Sequence, residues 1–342
     1  MEEKGPCLRI SGRFDRSRFT SQEAYDRYSD IVIGRKILHE RNVMIYHTEF
    51  DEFKAELKKR ILHKELTNFM DGSIDVVIVK EFYANLYDPK DKSPKQVRVK
   101  GHLIKFDEDA LNTFLKTIVI IEERDSLPAY SRFCRLRPNP QELAARLSIP
   151  GRGFELNEDG LLLKILRKNL TTLTQTWSIL SFSNLAPTSH TSDITLDRAR
   201  LLHGIIQKMD MNLRYIISSQ ISMIAQHDSS RLGFPALITT LCKAWGLTSD
   251  SLSFESLSPT INLAYMKKNC WNLDDPSVTF RGPRKAKGKR SETLPSSDIP
   301  PSAAPSTTVL TSSTASASAP LPALIAAPST GPSSFTSKTL YA

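Results

Sequence analysis

Cysteine is scarce in this chain of 342 residues, and its placement excludes several kinds of site. The cysteines lie far apart, none forms a CxxC pair, and none stands near a histidine at zinc-ligand spacing. A zinc knuckle of the retroviral type is therefore excluded, and no metal site is expected. We expect reduced thiols of an intracellular protein instead. The four residues are Cys7, Cys134, Cys242 and Cys270.

Long apolar runs are also missing. The start, MEEKGPCLRI, contains no apolar stretch that could serve as a signal peptide. No segment approaches the roughly 20 apolar residues that a helix needs to span a bilayer. We therefore expect a soluble, intracellular protein without a membrane partner. A weak basic, import-like segment at residues 284–290 is consistent with a nuclear location.

The motifs of the common catalytic sites are absent as well. The chain contains no GxxxxGK[ST], HExxH, GxSxG or aspartic-protease DTG or DSG pattern. A transposition nuclease needs three carboxylates that converge on two divalent metals, and no such trio is marked. Asp193 and Asp197, at i and i+4, are more simply acids in the first turn of one helix. His190 follows a proline turn and is expected to cap or bridge neighbouring helices. We expect no catalytic residue, no cofactor and no small-molecule substrate.

Positive charge is present, and it is concentrated in one short segment. The formal net charge is +9, of which residues 281–290 carry +6 with no acid. Residues 1–280 carry +4 and residues 291–342 carry −1. If nucleic acid binds, we expect it to bind largely at this segment, through phosphates and with strong salt dependence. An import signal or a solvated linker is the alternative. The candidate nucleic-acid-binding residues are Arg281, Arg284, Lys285, Lys287, Lys289 and Arg290.

Apolar residues at helical spacing are frequent, and they predict most of the fold. Three consecutive helices are predicted between residues 195 and 245, with Ser192 or Thr195 as the first cap. The longest helix is predicted from Asn157 to about residue 182. Asp107 is predicted to cap another helix, and Thr20 or Ser21 a short one. Further helices are predicted at residues 49–70, 74–86, 141–147 and about 261–266.

Strand patterns are rare by comparison. Residues 96–106 alternate apolar and polar side chains around Gly101, which predicts a small hairpin. Residues 39–42 are predicted as a turn and residues 124–139 as irregular. The predicted fold class is therefore mainly α, a multi-helix orthogonal bundle with at most a small β hairpin, plus a disordered C-terminal tail. The predicted domains are a disordered N-terminus (1–18), a helical domain (19–273) and a disordered tail (274–342), basic and then Ser/Thr/Ala/Pro-rich.

An arginine cluster in the irregular segment has two interpretations. Arg132, Arg135 and Arg137 alternate with Phe133 and Leu136. Arginine interleaved with an aromatic ring is a pattern that binds single-stranded nucleic acid. Three arginines alone are weak grounds for that function, and an exposed loop or an edge packed under a neighbouring helix is the simpler interpretation.

The order of several short patterns resembles a known family. PTSH, DITLDRARLLHGI and FPALITTLC occur in residues 187–242, VKEFYANL and VRVKGHLIKFDEDALNTFL precede them, and GRFDRSRFTSQEAYDRYSDIVIGRKILHERN comes first. In this order they resemble the putative plant transposon protein domain, which occurs in retroelement-derived plant sequences. The resemblance covers roughly residues 12–247. It implies a retroelement origin, and it implies neither a reaction nor a catalytic residue.

These observations together favour a binding protein over an enzyme. We expect a non-enzymatic, retroelement-derived interaction or structural module, capsid-like or accessory-like, with weak non-specific nucleic-acid binding through the basic segment. Its partners would be a second copy, another protein or nucleic acid. The alternative is a nuclear DNA-binding protein that uses residues 195–226 as a helix-turn-helix, although few basic residues stand there. A transposition enzyme is the least favoured function.

Overall fold

Helices dominate the structure, as predicted. The structure is a computed structural model, and it describes residues 14–45, 51–59, 66–69, 72–91, 94–115, 127–160, 162–248 and 253–278. None of the helices within these ranges is both long and apolar enough to cross a membrane. They are α1 (Gln22–Asp30), α2 (Asp51–Lys59), α3 (Val76–Leu86), α4 (Glu108–Leu115), α5 (Ala129–Arg135), α6 (Pro140–Leu147), α7 (Thr172–Leu180), α8 (Leu196–Ile206), α9 (Leu213–Gln226), α10 (Pro235–Ala244) and α11 (Leu263–Asn269).

Side-chain caps explain where several helices begin. Ser21 Oγ accepts a hydrogen bond from the Ala24 N–H at 3.2 Å, and Asp107 Oδ1 accepts one from the Ala110 N–H at 2.8 Å. Each bond satisfies one of the backbone donors that a helix start leaves free. Both predicted caps are thus confirmed. At α8 the capping prediction is wrong, because Thr195 stands at the cap position without a side-chain hydrogen bond.

Strand pairing is more extensive than a single hairpin, so that part of the predicted fold class is wrong. The strands are β1 (Arg41–Met44), β2 (Ser73–Asp75), β3 (Gln96–Val99), β4 (His102–Lys105), β5 (Glu155–Leu156), β6 (Leu162–Leu166), β7 (Asp193–Thr195), β8 (Phe254–Ser256) and β9 (Ser258–Asn262). The predicted hairpin is β3–β4. In addition, β1 pairs with β9 in parallel, β2 pairs with β8 antiparallel, and β5, β6 and β7 form a three-stranded antiparallel sheet.

The prediction of one long helix from Asn157 to about residue 182 is wrong over its first half, since the helix begins only at Thr172. Gly160 adopts φ +74° and donates its N–H to the Asn157 carbonyl at 3.0 Å, which closes a turn. β6 follows and pairs with strands on both sides. Leu162 and Leu166 are four residues apart, and that spacing keeps side chains on one face of a strand as well as of a helix. Apolar spacing alone therefore could not distinguish β6 from a helical turn.

Two segments predicted as a turn or as irregular each contain part of a regular element among their described residues. Arg41 and Asn42, the last two residues of the predicted turn at 39–42, belong to β1. Its partner β9 lies more than two hundred residues later in the chain. Residues 124–139 contain α5, which begins after Pro128. Short elements such as these depend on tertiary partners for most of their stability.

The hydrophobic core is centred on α3, the helix predicted in residues 74–86. Asp75 caps this helix by accepting hydrogen bonds from the N–H groups of Val77 at 2.9 Å and Ile78 at 3.0 Å. α1, α10 and β3 pack around it. The buried Tyr83 hydroxyl donates to the Gly233 carbonyl at 2.9 Å, which ties α3 to the start of α10.

Residues beyond both predicted limits of the helical domain contact this body. Arg18 Nε lies 2.9 Å from Glu81 Oε2 on α3. Asp275 is buried, and its Oδ2 accepts a hydrogen bond from the Thr172 N–H at 2.6 Å. Residues 1–13 and 279–342 lie outside the described residues, and with them most of the two predicted disordered ends.

Candidate nucleic-acid interface

The basic segment at residues 281–290 lies outside the described residues. The structure therefore places none of its six predicted contact residues, Arg281, Arg284, Lys285, Lys287, Lys289 and Arg290. The candidate site that the structure does describe is carried by α5, α6 and the turn that follows α6.

α5 is held against α8 by its first turn. The Tyr130 N–H donates to the Asp210 carbonyl at 3.0 Å. The Tyr130 ring covers Gly204, where an added Cβ would come within 2.5 Å of Tyr130 Cδ2. Glycine at this position allows the two helices to approach closely.

An aromatic pair joins α5 to α8 one turn later. The rings of Phe133 and His203 are stacked, with centroids 5.0 Å apart and an interplanar angle of 8°. Both side chains are partly exposed. Burial, with a smaller contribution from the charge of Arg146, lowers the pKa of His203. The imidazole is therefore neutral near pH 7.

The end of α5 exposes an apolar side chain between two cations. Leu136 is 82% exposed, and Arg135 and Arg137 beside it are exposed as well. Arg137 adopts φ +48°, in the left-handed region that costs a side-chain-bearing residue about 1–2 kcal/mol. Arg132, one turn before Leu136, is partly exposed.

α6 contributes a fourth arginine, Arg146, and packs against the helix that carries His203. Asn139 Oδ1 caps this helix by accepting from the Gln141 N–H at 2.9 Å, and Pro140 occupies the first turn as predicted. α6 packs against α8. Arg146 on α6 is exposed, and its charge contributes to the lowered pKa of His203.

A fifth arginine follows in the turn after α6. Arg152 is exposed, and its N–H donates to the Ile149 carbonyl at 3.1 Å. A Cβ added at the next residue, Gly153, would lie 3.5 Å from Ala144 Cβ, so the turn folds back onto α6. These five residues together are named the arginine surface: Arg132, Arg135, Arg137, Arg146 and Arg152.

The arginine surface has a large excess of positive charge. Residues 127–153 contain five arginines and one acid, Glu142. Their net charge of +4 equals that of residues 1–280 as a whole. Arg135, Arg137 and Arg146 have no carboxylate partner in the described part of the chain. Their guanidinium donors are available to an anion from outside.

Helix dipoles account for part of this placement. Arg135 lies in the last turn of α5 and Arg146 in the last turn of α6. A cation there gains about 0.3–1 kcal/mol from the helix dipole. The dipole does not explain an exposed leucine between two arginines, nor the left-handed backbone of Arg137. These two features favour a surface that binds a partner.

Sequence analysis identified only part of this surface. It marked Arg132, Arg135 and Arg137 but missed Arg146 and Arg152, because nothing in their spacing indicates that α6 packs against α8, the helix that Tyr130 and Phe133 of α5 also contact. The excess of five arginines over one acid in residues 127–153 is the feature that could have revealed them.

The acidic and histidine residues considered for catalysis have structural partners. Asp193 lies in β7 and Asp197 in α8, so the prediction that they share a helix face is wrong. Asp193 Oδ1 lies 2.9 Å from His190 Nε2, and its Oδ2 lies 3.3 Å from Lys164 Nζ. Burial raises the pKa of Asp193, but these two neighbours outweigh burial and lower it. Ser192 Oγ donates to the same carboxylate at 3.1 Å.

Over the described ranges, no three His, Cys, Asp or Glu residues are arranged to hold a metal ion.

The helix pair considered as a helix-turn-helix is covered by the rest of the protein. α8 and α9 contain no residue with a fully exposed side chain. Arg198 is buried and donates to the Ala186 carbonyl at 2.9 Å, and Arg214 is buried too. A recognition helix must offer its side chains to the base edges of a groove, and the burial of Arg198 and Arg214 argues against that role for this pair.

A cleft of about 450 Å³ lies between the end of α1 and the loop after α9. Arg35 lines this cleft and donates to the carbonyls of Ser230 at 2.7 Å and Ile224 at 2.9 Å. These bonds close the C-terminal end of α9, where carbonyls lack helical partners. Arg35 therefore stabilises the end of α9 and the loop that follows it. Two carboxylates, Asp30 and Asp228, also line the cleft, so its charge is mixed.

Comparison with known families places the arginine surface inside a family domain. A sequence profile described as a putative plant retrotransposon-related domain matches residues 60–248, which is more than half of the chain. The matched range contains α3 to α10, and the N-terminal segment and the basic segment at residues 281–290 fall outside it. No curated protein and no solved structure matches the chain significantly. The protein belongs to the plant retrotransposon-related domain family.

Proposed function

We propose that this protein is a non-enzymatic, retroelement-derived binding module that contacts the phosphate backbone of nucleic acid without base-sequence preference. The observation that carries the proposal is the arginine surface. Arg135, Arg137 and Arg146 are exposed there, and no carboxylate of the described residues neutralises them. Guanidinium groups bind phosphate with paired, charge-assisted hydrogen bonds.

The basic segment at residues 281–290 adds a second cationic region. Its +6 in ten residues exceeds the +4 of residues 127–153, so it supplies the larger electrostatic contribution. Changing Lys285, Lys287, Lys289 and Arg290 to alanine is expected to remove most of the binding. The same change tests nuclear import, since a fluorescent fusion would then move from nucleus to cytoplasm.

Two cationic regions in one mainly helical chain suit a capsid-like or accessory protein that assembles and touches nucleic acid. Self-association belongs to this proposal. Light scattering of the purified chain with and without a single-stranded oligonucleotide would measure it. A monomer that ignores the oligonucleotide would contradict both the assembly and the binding parts of the proposal.

Salt dependence is the sharpest test of the binding part. Each phosphate contact to a single strand changes the slope of log affinity against log salt by about 0.7. Changing Arg135, Arg137 and Arg146 to glutamine is therefore expected to reduce that slope by about 2, as measured by fluorescence anisotropy between about 50 and 200 mM salt.

The matched control removes the same charge elsewhere. Lys90, Lys105 and Lys268 are exposed, lie outside residues 127–153 and can be changed to glutamine together. If the control lowers the slope as much as the arginine variant does, net charge alone governs binding and the arginine surface has no special role.

A further inference from the structure

We infer that the arginine surface holds unpaired bases as well as phosphates, so that the protein selects single-stranded nucleic acid over duplex. This inference rests on the proposed function, and it adds the class of nucleic acid. Its basis is the apolar strip formed by Leu136, Phe133 and His203.

The strip is built by the backbone of α5 and by its contact with α8. Leu136 follows Phe133 by three residues, a spacing that makes side chains neighbours on a helix surface. Phe133 is stacked on His203 at 5.0 Å. The strip therefore runs from an exposed aliphatic side chain to a partly exposed aromatic pair.

Cations border this strip closely. Arg135 and Arg137 are the sequence neighbours of Leu136, and Arg146 lies on α6, which packs against the helix of His203. Proteins that hold single strands combine a cationic track for the backbone with apolar or aromatic side chains that contact the bases. The end of α5 offers both within a few residues.

A duplex would leave the strip unused. Its bases are stacked inside, and the outer surface that meets the arginines consists of phosphate and sugar. A single strand can turn its bases outward, so that Leu136 and Phe133 are covered while the phosphates meet the arginines.

The chemistry of the cations favours nucleic acid over an acidic protein segment. Residues 127–153 contain five arginines and no lysine. The planar guanidinium pairs with phosphate oxygens and also stacks on the faces of bases, and a peptide of acidic side chains offers no such faces.

The experiment compares three labelled nucleic acids with the full chain by fluorescence anisotropy. They are a single-stranded oligothymidine of about 15 nucleotides, an abasic strand of the same length, and a duplex of that length. The variants are Leu136→Ser and Leu273→Ser. Leu273 is the matched control, because it is 83% exposed and lies more than a hundred residues after the arginine surface in the sequence.

The native chain is expected to bind oligothymidine about tenfold more tightly than the abasic strand or the duplex. Leu136→Ser should abolish that preference and leave abasic and duplex binding unchanged, while Leu273→Ser should keep it.

Equal binding of all three nucleic acids, or equal effects of the two serine variants, would overturn the inference and leave the proposed function intact. Failure to bind any of them would contradict the proposed function itself. Polyglutamate that displaces oligothymidine at equal charge would show that an acidic protein segment is the occupant.

Discussion

Glu40 and Ala236 are joined by a hydrogen bond across 196 positions of the chain. The Ala236 N–H donates to Glu40 Oε2 at 3.0 Å, and the Leu237 N–H donates to Oε1 at 2.9 Å. Phe234, at the cap position of α10, supplies no side-chain hydrogen bond of its own. The carboxyl group of a residue just before β1 therefore caps a helix near the other end of the domain.

The first prediction concerns the pH dependence that Glu40 imposes on stability. Glu40 is 1% exposed, and burial raises its pKa from 4.5 to about 7. A carboxyl group with a raised pKa contributes stability that is complete below pH 4.5 and is lost as pH rises through about 7. The expected loss is on the order of 3 kcal/mol in the free energy of unfolding. Glu40→Gln should remove this slope, as urea melts across the same pH range would show, and parallel pH profiles for the two proteins would contradict the assignment.

The second prediction concerns the core beneath α7. Trp177 is 3% exposed, and its ring centroid lies 4.2 Å from that of Phe53; Leu170 is fully buried. Trp177→Ala or Leu170→Ala should each lower the free energy of unfolding by about 2–5 kcal/mol, because each leaves a cavity. Leu156→Ala on the exposed surface is the control, and denaturant melts are the measurement. A loss below about 0.5 kcal/mol at both core sites would show that neither is packed.

Much of the helical architecture was predictable because its determinants are local. Ser21 and Asp107 cap helices by bonds to residues three positions later, and such pairs are visible in sequence. The strands were less predictable. β1 pairs with β9 and β2 with β8 over large separations, and short strands owe their conformation to those partners.

The candidate site divides in the same way. Arg132, Arg135 and Arg137 were found as a cluster because they are adjacent in sequence. Arg146 approaches His203 only because α6 packs on α8, and that packing is tertiary. The closeness of α5 to α8 depends on Gly204, whose role becomes apparent only when the Tyr130 ring is seen beside it.

The third prediction separates stability from binding at Arg137. Its φ of +48° suits glycine, so Arg137→Gly should relieve backbone strain. Glycine also has more freedom in the unfolded chain, which offsets part of that gain. The free energy of unfolding should therefore rise by about 0.5–1 kcal/mol. Arg135→Gly removes the same charge from within α5 and should lower stability by about 1 kcal/mol. Both variants should weaken oligonucleotide binding. Opposite changes in thermal midpoint with parallel losses of affinity are the expected result, and a loss of stability in both would exclude strain at Arg137.

The last prediction locates the C-terminal limit of the folded body. Asp275 lies within the predicted tail, yet it is buried and accepts the Thr172 N–H at 2.6 Å, at the start of α7. A carboxylate bonded to a helix N-terminus is stabilising, and a hydrogen bond to a charged group contributes about 1.5–3 kcal/mol. A chain that ends at residue 278 should therefore match the full chain in urea melts, whereas Asp275→Ala within that shorter chain should lower its free energy of unfolding by about 1.5–3 kcal/mol.

The contribution of Asp275 should also depend on pH. Burial raises its pKa, but its bonds with Ser277 and Thr172 outweigh burial and lower it, so the contribution should persist at neutral pH and disappear on acidification. Equal stability of the shorter chain with and without the substitution would place the limit of the folded body before Asp275, at the boundary predicted from the sequence.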